Sequence, residues 1–349
     1  MGLAELQLEA LRCLRQAQLT LHPRLNLICG GNGSGKTSLL EAVYLLGRGR
    51  SFRTRHTEQL IQHGAPQLWV FGRIEGSHTL GIRCSRKSGL EVRVDGQAAT
   101  SLARLSEVFP VQVIDPGIHR LIEEGPVHRR RWLDWAVFHV EPTFVPHWLG
   151  FSRALRQRNA ALKGDQDPTV WDGELVRLGD ALTQSRARLI EGLQPYWSQT
   201  LQSLGAPPAT LGFAPGWSRE KPLAVCLAEH LSRDRERGTT CYGPHRFDVL
   251  LRWEGHAVRD VLSRGQQKLL GAAMALAMSQ FVAQVVGSPP TLLLDDPAAE
   301  LDRPHTEALL AAVARLRSQL IVTALHPEDT PLGAADRVFH VEQNGVKSV

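Results

Sequence analysis

Residues 25–42, LNLICGGNGSGKTSLLEA, decide the fold. A short apolar run leads into a glycine-rich turn, and the apolar residues after the turn have helical spacing. Gly30–Thr37 satisfies the pattern GxxxxGK[ST] between a predicted strand and a predicted helix, which is the context that a P-loop requires. Glycines in such a turn let backbone N–H groups point inward around phosphate groups, and the N-terminus of the helix adds positive charge. The stretch therefore predicts a nucleotide-binding loop rather than an ordinary turn.

The P-loop assigns roles to individual side chains. Lys36 is expected to reach the β- and γ-phosphates of ATP, and the hydroxyl of Thr37 is expected to bind Mg²⁺. ATP and Mg²⁺ are therefore the predicted cofactors, and Lys36 is also a predicted catalytic residue. The predicted nucleotide-binding residues of this stretch are Gly30, Gly31, Asn32, Gly33, Ser34, Gly35, Lys36, Thr37 and Ser38.

A second stretch, TLLLDD at 291–296, is expected to complete the site. Its apolar run is typical of a strand buried in a parallel sheet, and such strands deliver polar residues at their C-terminal ends. Asp295 is the predicted Mg²⁺-side carboxylate, and Asp296 is placed to orient an attacking water or to accept a proton from it. A strand-end cap is the alternative interpretation of the paired carboxylates.

A third stretch narrows the class of nucleotide-binding protein. LSRGQQK at 262–268 directly precedes an apolar helix and resembles the signature motif of ATP-binding-cassette ATPases. The resemblance implies that Ser263, Gly265 and Gln266 cap the γ-phosphate held by a second subunit, although Ser-Arg-Gly is also an ordinary way to cap a helix. Asp302 then follows as a D-loop residue would, and Gln112 in PVQVID resembles the Q-loop glutamine that acts on the metal and the water.

Seven stretches together resemble the RecF family of recombination mediators, which is related to the SMC-type ATPases. The resemblance covers nearly the full length of the chain, with a compact helical lobe in place of a long SMC coiled coil. The stretches are the P-loop, GRGRSFRT (47–54), HRRRWLDWAVFH (128–139), LRQRNAAL (155–162), GPHRFDV (243–249), LSRGQQKLL (262–270) and LLLDDPAAELD (292–302).

The family resemblance implies a function and partners. It implies a DNA-binding ATPase of DNA replication, recombinational repair and the SOS response. Members form ATP-dependent homodimers on duplex DNA and at single-strand gaps, hydrolyse ATP slowly and DNA-dependently as a switch, and act with RecR and RecO where RecA is loaded. The alternative is the nucleotide-binding subunit of a membrane transporter; a nuclease or a small-molecule kinase fits the motifs less well.

Three residues depart from the related patterns or match them only in part. Transport-type cassettes place Glu where Asp296 stands, and the shorter side chain suits slow turnover. His326, in QLIVTALHPED, follows its strand later than the cassette histidine does and is also consistent with a loop residue. Arg12 matches only the arginine of an F-R-N motif that opens SMC-like ATPases, so contact with phosphate or DNA and a solvated strand-end position remain equally open.

Residue patterns predict an α/β fold with two lobes. The ATPase head lobe, of the ATP-binding-cassette type with a mixed β-sheet and helices, is expected to comprise 1–116 and 241–349. Between its halves, 117–240 is expected to form an inserted, mainly helical second lobe, because its apolar residues recur at helical spacing.

Amino-acid composition indicates the cellular compartment of the protein and the kind of partner that it binds. Five dispersed cysteines without a CxxC pair argue against a zinc site and fit a reducing cytosol. No uninterrupted apolar window of about 18 residues occurs, so a cytoplasmic protein without a membrane span is predicted. The net charge of +5 mildly favours a polyanionic partner.

Two arginine clusters are the candidate DNA contacts. They comprise Arg48, Arg50, Arg53 and Arg55, and Arg129, Arg130 and Arg131. Trp132 and Trp135 lie beside the second cluster and are expected to be core residues rather than stacking platforms. Since no base-reading module is visible, contact with DNA structure and backbone is expected, without sequence preference.

Overall fold

The computed structural model describes residues 2–76, 78–164, 166–329, 335–342 and 345–348. The chain divides into two compact units, each described here by itself. Unit 1 comprises Met1–His119, Gln202–Ala206 and Arg264–Val349, and unit 2 comprises Arg120–Leu201 and Pro207–Ser263. The predicted boundaries differ from this division chiefly at 241–263, which belong to unit 2 because the strand Asp248–Trp253 pairs with Thr210–Ala214.

The strands and helices are numbered in chain order. The strands are β1 Leu3–Leu11, β2 Leu14–Thr20, β3 Leu25–Cys29, β4 Gln67–Ile74, β5 Thr79–Ser85, β6 Gly89–Val94, β7 Gln97–Ala98, β8 Val111–Ile114, β9 Thr210–Ala214, β10 Asp248–Trp253, β11 His256–Ala257, β12 Thr291–Asp295, β13 Leu320–Ala324, β14 Arg337–Glu342 and β15 Gly345–Ser348. The α-helices are α1 Lys36–Arg48, α2 Ala103–Val108, α3 Arg120–Glu123, α4 Pro126–Val140, α5 Phe144–Lys163, α6 Asp172–Leu204, α7 Leu223–Glu229, α8 Leu231–Arg237, α9 Val258–Val261, α10 Arg264–Val286, α11 Pro297–Glu300 and α12 Arg303–Arg315.

Unit 1 contains two six-stranded sheets. One has the order β2-β1-β4-β5-β6-β7 and is antiparallel throughout. The other has the order β15-β14-β3-β13-β12-β8 and is parallel except for β15. The parallel strands β12 and β13 are apolar runs buried along their whole length, as parallel strands covered on both faces are. This sheet places the C-terminal ends of β3 and β12 at one edge.

Helix α1 lies in the core between the two sheets. Its buried apolar residues, among them Leu39, Val43 and Leu46, belong to one apolar cluster with residues of both sheets, such as Leu6 and Leu293. Burial on all sides explains why the helix is apolar around nearly its whole circumference. The helix is thereby fixed against β3, from which the P-loop leads into it.

Helix α10 is a core helix of unit 1. Its 23 residues are long and apolar enough to cross a membrane, although the sequence contains no uninterrupted apolar run of that length, and 72% of its apolar window is buried inside the fold. A Cβ added at Gly271 would lie 2.8 Å from the carbonyl oxygen of Ile118, so the helix approaches that backbone as closely as glycine permits. Packing within the protein thus accounts for its apolar composition.

Unit 2 combines helices with a small antiparallel sheet of the order β11-β10-β9. Its interior is held by arginine–carboxylate pairs. Arg129 makes a two-point contact with Asp248, at 2.8 and 2.9 Å, and Arg186 makes another with Asp134, at 2.8 and 3.1 Å. The guanidinium of Arg186 also lies 3.9 Å from the ring centroid of Phe247. These buried pairs tie α4 to β10 and to α6.

Candidate nucleotide-binding site

The P-loop folds as a tight turn between β3 and α1. Gly30 has φ of +155°, and a Cβ there would lie 2.4 Å from the carbonyl oxygen of Val341. Gly35 has φ of +115°, and a Cβ there would lie 2.7 Å from Leu14 Cδ2. Both the backbone conformation and the available space therefore require glycine at these two positions.

A cavity of about 500 Å³ opens at this turn. Eight of the predicted nucleotide-site residues line it: Asn32, Gly33, Gly35, Lys36, Thr37, Ser38, Asp295 and Asp296. The remaining lining residues are Arg12, Cys13, Arg53 and Pro116. The structure thus brings the P-loop and the aspartates after β12 together around one cavity, although they are separated by more than half of the sequence.

Lys36 lies at the floor of the site. Its Nζ donates hydrogen bonds to the carbonyl oxygens of Gly30, at 2.6 Å, and Gly31, at 3.0 Å. The residue is only 7% exposed. The ammonium group is thereby held inside the curve of the loop.

Thr37 and Asp295, the two predicted Mg²⁺ ligands, are joined by a hydrogen bond at the cavity. The hydroxyl of Thr37 donates to Asp295 Oδ1 at 3.0 Å, and the hydroxyl of Thr323 donates to the same oxygen at 2.8 Å. Burial raises the pKa of Asp295, while these hydroxyl hydrogen bonds act in the opposite direction. Thr323, on β13, has no counterpart in the sequence motifs and was not predicted.

Asp296 adopts a left-handed backbone conformation, with φ of +46°. Its N–H donates to Thr323 Oγ1 at 2.9 Å, which fixes the turn between β12 and α11. Such a conformation is uncommon for a residue other than glycine, and aspartate and asparagine are among those that tolerate it. The turn presents Asp296 to the cavity beside Asp295.

A buried carboxylate anchors the two arginines at the cavity. Glu41, on α1, is 0% exposed and accepts two hydrogen bonds from Arg12, each at 3.0 Å, and one from Ser51 Oγ at 2.5 Å. Arg53 Nη1 lies 3.5 Å from the same carboxylate. Ser51 Oγ in turn accepts from the N–H groups of Arg53, at 2.9 Å, and Thr54, at 3.1 Å. Glu41 was missed by the sequence analysis, although a single carboxylate within the apolar run of α1 was a usable signal.

Replacing Glu41 with glutamine is expected to weaken ATP binding and to lower the free energy of unfolding by about 1–3 kcal/mol, because a buried charged acceptor of several donors is lost. The matched control is Glu107→Gln, which removes an exposed carboxylate that pairs with Arg104 on α2 and is expected to cost at most about 1 kcal/mol. Denaturant unfolding and titration with a fluorescent ATP analogue measure both effects. Equal behaviour of the two variants would show that Glu41 does not position the arginines.

Several predicted site residues do not reach this cavity. Gln112 lies within β8 opposite Leu292, well before the end of the strand, and β8 is followed into the cavity by Pro116 instead. Gln112 is therefore not among the residues that line the cavity, and its assignment to the metal and the water stays a prediction. Asp302 caps α12 by accepting from the N–H of His305 at 3.0 Å. Gly265 and Gln266 are exposed at the start of α10, Ser263 is exposed directly before that helix, and His326 is exposed as well.

The arginine clusters also separate in the structure. Arg129 is 8% exposed and, besides Asp248, donates to the carbonyl oxygens of Leu121 and Ile122. Arg130 donates to the carbonyl oxygen of Phe247 at 3.0 Å. Arg129 is therefore a buried structural residue, which corrects its assignment as a DNA contact, whereas Arg130 is half-buried and Arg131 is exposed, so that their assignment stays a prediction.

In the first cluster, Arg50, Arg53 and Arg55 are exposed, and Arg53 lines the nucleotide cavity. The guanidinium of Arg48 lies 5.7 Å from the ring centroid of Tyr44. Trp132 and Trp135 are buried, which confirms the expectation that they are core residues.

The fold and the cavity together define a class of protein. A P-loop enters a helix that is sandwiched between an antiparallel and a mostly parallel sheet. In the parallel sheet, β12 is separated from β3 by β13 and leads to two aspartates at the same cavity. This is the architecture of a P-loop ATPase of the ATP-binding-cassette and SMC type, as the sequence predicted.

Comparison with known proteins identifies the family. The family described as RecF/RecN/SMC N terminal domain matches residues 2–348. A DNA replication and repair protein RecF from Pseudomonas syringae pv. tomato is 40% identical over 363 residues, covering 99% of this chain and 98% of the relative, and one from Pseudomonas fluorescens is 39% identical over the same length. The chain therefore belongs to the RecF family.

Solved structures agree with the fold. A recombination mediator protein RecF bound to ATP matches with a TM-score of 0.89 at 23% identity, covering 100% of this chain and 97% of that chain. An Smc head bound to the C-terminal winged-helix domain of ScpA matches with a TM-score of 0.60 at 15% identity, covering 100% and 98%. The predicted fold class and family resemblance are confirmed, and the transporter alternative is not favoured.

Proposed function

We propose that this protein is a DNA-binding ATPase of the RecF type that acts in DNA replication and recombinational repair and serves mainly as a slow, DNA-dependent switch. The observation that carries the proposal is the assembly of Lys36, Thr37, Asp295 and Asp296 around one cavity. Full-length similarity to relatives named as DNA replication and repair proteins supports the biological role. By family resemblance, RecR and RecO are the proposed partners, and they would act with this protein at sites where RecA is loaded. The proposed location is the cytoplasm.

The cavity suits ATP with Mg²⁺. A hydroxyl and a carboxylate, from Thr37 and Asp295, offer the hard oxygen ligands that Mg²⁺ prefers, and phosphate oxygens supply the rest. No group of three or more His, Cys, Asp or Glu side chains that could hold a metal occurs among the described residues, which fits an ion shared with a nucleotide. Bound there, Mg²⁺ would neutralise phosphate charge; Lys36 would hold the β- and γ-phosphates, and Asp296 would orient water.

The γ-phosphate cap is proposed to come from a second copy of the chain. Gly265 and Gln266 are exposed at the N-terminus of α10 and do not line the cavity of their own unit. A helix N-terminus with a preceding serine is suited to bind phosphate. ATP would therefore join two copies through Ser263, Gly265 and Gln266, with Asp302 beside the shared nucleotide, and hydrolysis would release them from DNA.

Sedimentation velocity with and without ATP·Mg²⁺ and a gapped DNA duplex tests this function. Wild type is expected to form an ATP-dependent dimer on the DNA. Ser263→Arg is expected to bind ATP normally but to remain monomeric, since the larger cation occupies the position of the phosphate cap. Ser88→Arg, in the exposed β5–β6 turn, is the matched control and is expected to dimerise. A Ser263→Arg variant that dimerises like wild type would contradict the cross-subunit site.

A further inference from the structure

Helix α5 of unit 2 carries cations on the face opposite its buried stripe. Phe151, Ala154, Arg158, Ala161 and Leu162 are among its buried residues. At 100° per residue, the opposite face presents the side chains at 153, 156 and 163, which are Arg153, Arg156 and Lys163, and all of these are exposed. The 20 residues of the helix include no Asp or Glu. Its outer face is therefore positively charged over its C-terminal half, from Arg153 to Lys163.

Several exposed basic side chains on other helices pair with a nearby carboxylate, as in Arg177–Glu174, Arg188–Glu141 and Arg303–Glu307. Within the residues that the structure describes, Arg153, Arg156 and Lys163 form no ion pair. A solvated helix surface usually mixes charges of both signs at such spacings. The face of α5 lacks that compensation.

The neighbouring helix α8 extends the positive surface. It contacts α5, and Gly238 at its end lies beside Lys163, since a Cβ on this glycine would be 3.2 Å from Lys163 Cγ. Asp234 of α8 is turned inward, where it bonds to the buried Arg158 at 2.6 Å. Arg235 and Arg237 remain exposed.

Buried pairing thus removes carboxylates from this surface. Arg158 is 0% exposed and binds both Asp234 and Asp172, the latter at 2.7 Å. Among the described residues, the exposed carboxylates near the two helices include Glu236, Glu229, which pairs with Lys221, and Asp167, which is close enough to Arg235 to interact with it. Arg153, Arg156, Lys163, Arg233, Arg235 and Arg237 outnumber them.

We propose that the exposed faces of α5 and α8 form a second DNA-contact surface, which binds the phosphate backbone without reading sequence. The proposal rests on the proposed DNA-binding function. Arg153 and Lys163 are about 15 Å apart along the helix axis, and duplex DNA presents one phosphate about every 1.7 Å of its axis. The surface therefore spans several phosphates. Regularly repeated negative charge is the partner chemistry that an uncompensated row of guanidinium and ammonium groups fits best.

Salt-dependent DNA binding tests the surface. The test variant combines Arg153→Glu, Arg156→Glu and Lys163→Glu, and the matched control combines Arg86→Glu, Lys87→Glu and Arg93→Glu, which are exposed on and beside the β5–β6 hairpin and cause the same change in net charge. Fluorescence anisotropy of a labelled duplex is measured over a series of salt concentrations in the presence of ATP·Mg²⁺. The slope of log K, the DNA association constant, against log salt is negative. The test variant is expected to make this slope shallower by about 2–3, because each lost phosphate contact removes about 0.9. The control is expected to retain the wild-type slope.

Each other result has a defined meaning. Unchanged binding by the test variant would overturn the surface while leaving the proposed function intact, whereas wild type that does not bind the duplex would overturn the proposed function itself. Equal losses in both variants would mean that only net charge is sensed, and would also overturn the surface. If polyglutamate bound to the wild type as tightly as duplex DNA does, and if the test variant lost that binding, the surface would be assigned to an acidic protein segment instead. A second variant with glutamine at the three α5 positions checks that acidic side chains have not disturbed the fold.

Discussion

Replacing Lys36 with arginine is expected to lower ATP hydrolysis by at least about 100-fold, the loss typical of removing one group that stabilises the transition state. The ammonium of Lys36 lies between the carbonyl oxygens of Gly30 and Gly31, in a space that is almost closed to solvent. A planar guanidinium is larger and presents its donors in a fixed fork, so it is not a substitute for a compact point charge there. Because the positive charge is kept, ATP binding should be partly retained.

The Lys36→Arg variant is best compared with Lys87→Arg. Lys87 lies exposed in the β5–β6 turn, so this control makes the same chemical change away from the cavity. Phosphate release under single-turnover conditions measures hydrolysis, and equilibrium titration measures ATP binding. Hydrolysis at the wild-type rate in Lys36→Arg would remove Lys36 from the reaction, whereas complete loss of ATP binding would mean that the arginine distorts the loop itself.

Features encoded by short stretches were predictable from the sequence. The P-loop, the helix after it and the strand that ends in Asp295 each follow from local spacing, and all three occur as predicted. Their convergence on one cavity also followed, because parallel strands bring their C-terminal ends to the same edge of a sheet. The family resemblance added the order of the motifs along the chain.

Features that depend on distant partners were not predictable. Arg129 is one residue of a basic cluster in sequence, but its partner Asp248 is 119 positions away and makes it structural. Glu41 and Thr323 acquire their roles only when β13, α1 and the loop at 51–54 meet. Gln112 illustrates another limit: the motif gives the identity of a residue, but its position in β8, opposite Leu292, is set by the sheet register. Local pattern thus predicts the residues that form the nucleotide cavity, and tertiary contacts decide which charged residues support it.

Replacing Asp296 with asparagine is expected to lower ATP hydrolysis by about 10²–10⁴-fold, the usual contribution of a positioned general base. Asparagine tolerates the left-handed conformation of this residue, with φ of +46°, as well as aspartate does, and the hydrogen bond from its N–H to Thr323 is retained. ATP binding should therefore persist, and under the proposed switch the variant should accumulate as an ATP-bound dimer on DNA. Sedimentation of the variant with ATP·Mg²⁺ and a gapped duplex measures that accumulation.

Asp95→Asn provides a control with the same chemistry and backbone state. Asp95 also has a positive φ, of +52°, but lies exposed in the β6–β7 turn, so its substitution should leave hydrolysis unchanged. If Asp296→Asn hydrolysed ATP as fast as this control, the carboxylate would have no part in the reaction, and the function of Asp296 would be to shape the turn through Thr323. If hydrolysis fell but no dimer accumulated, the role of Asp296 as a general base would be supported, and the proposed link between ATP binding and dimerisation would be contradicted. The single substitution therefore separates the chemistry of the cavity from its use as a switch.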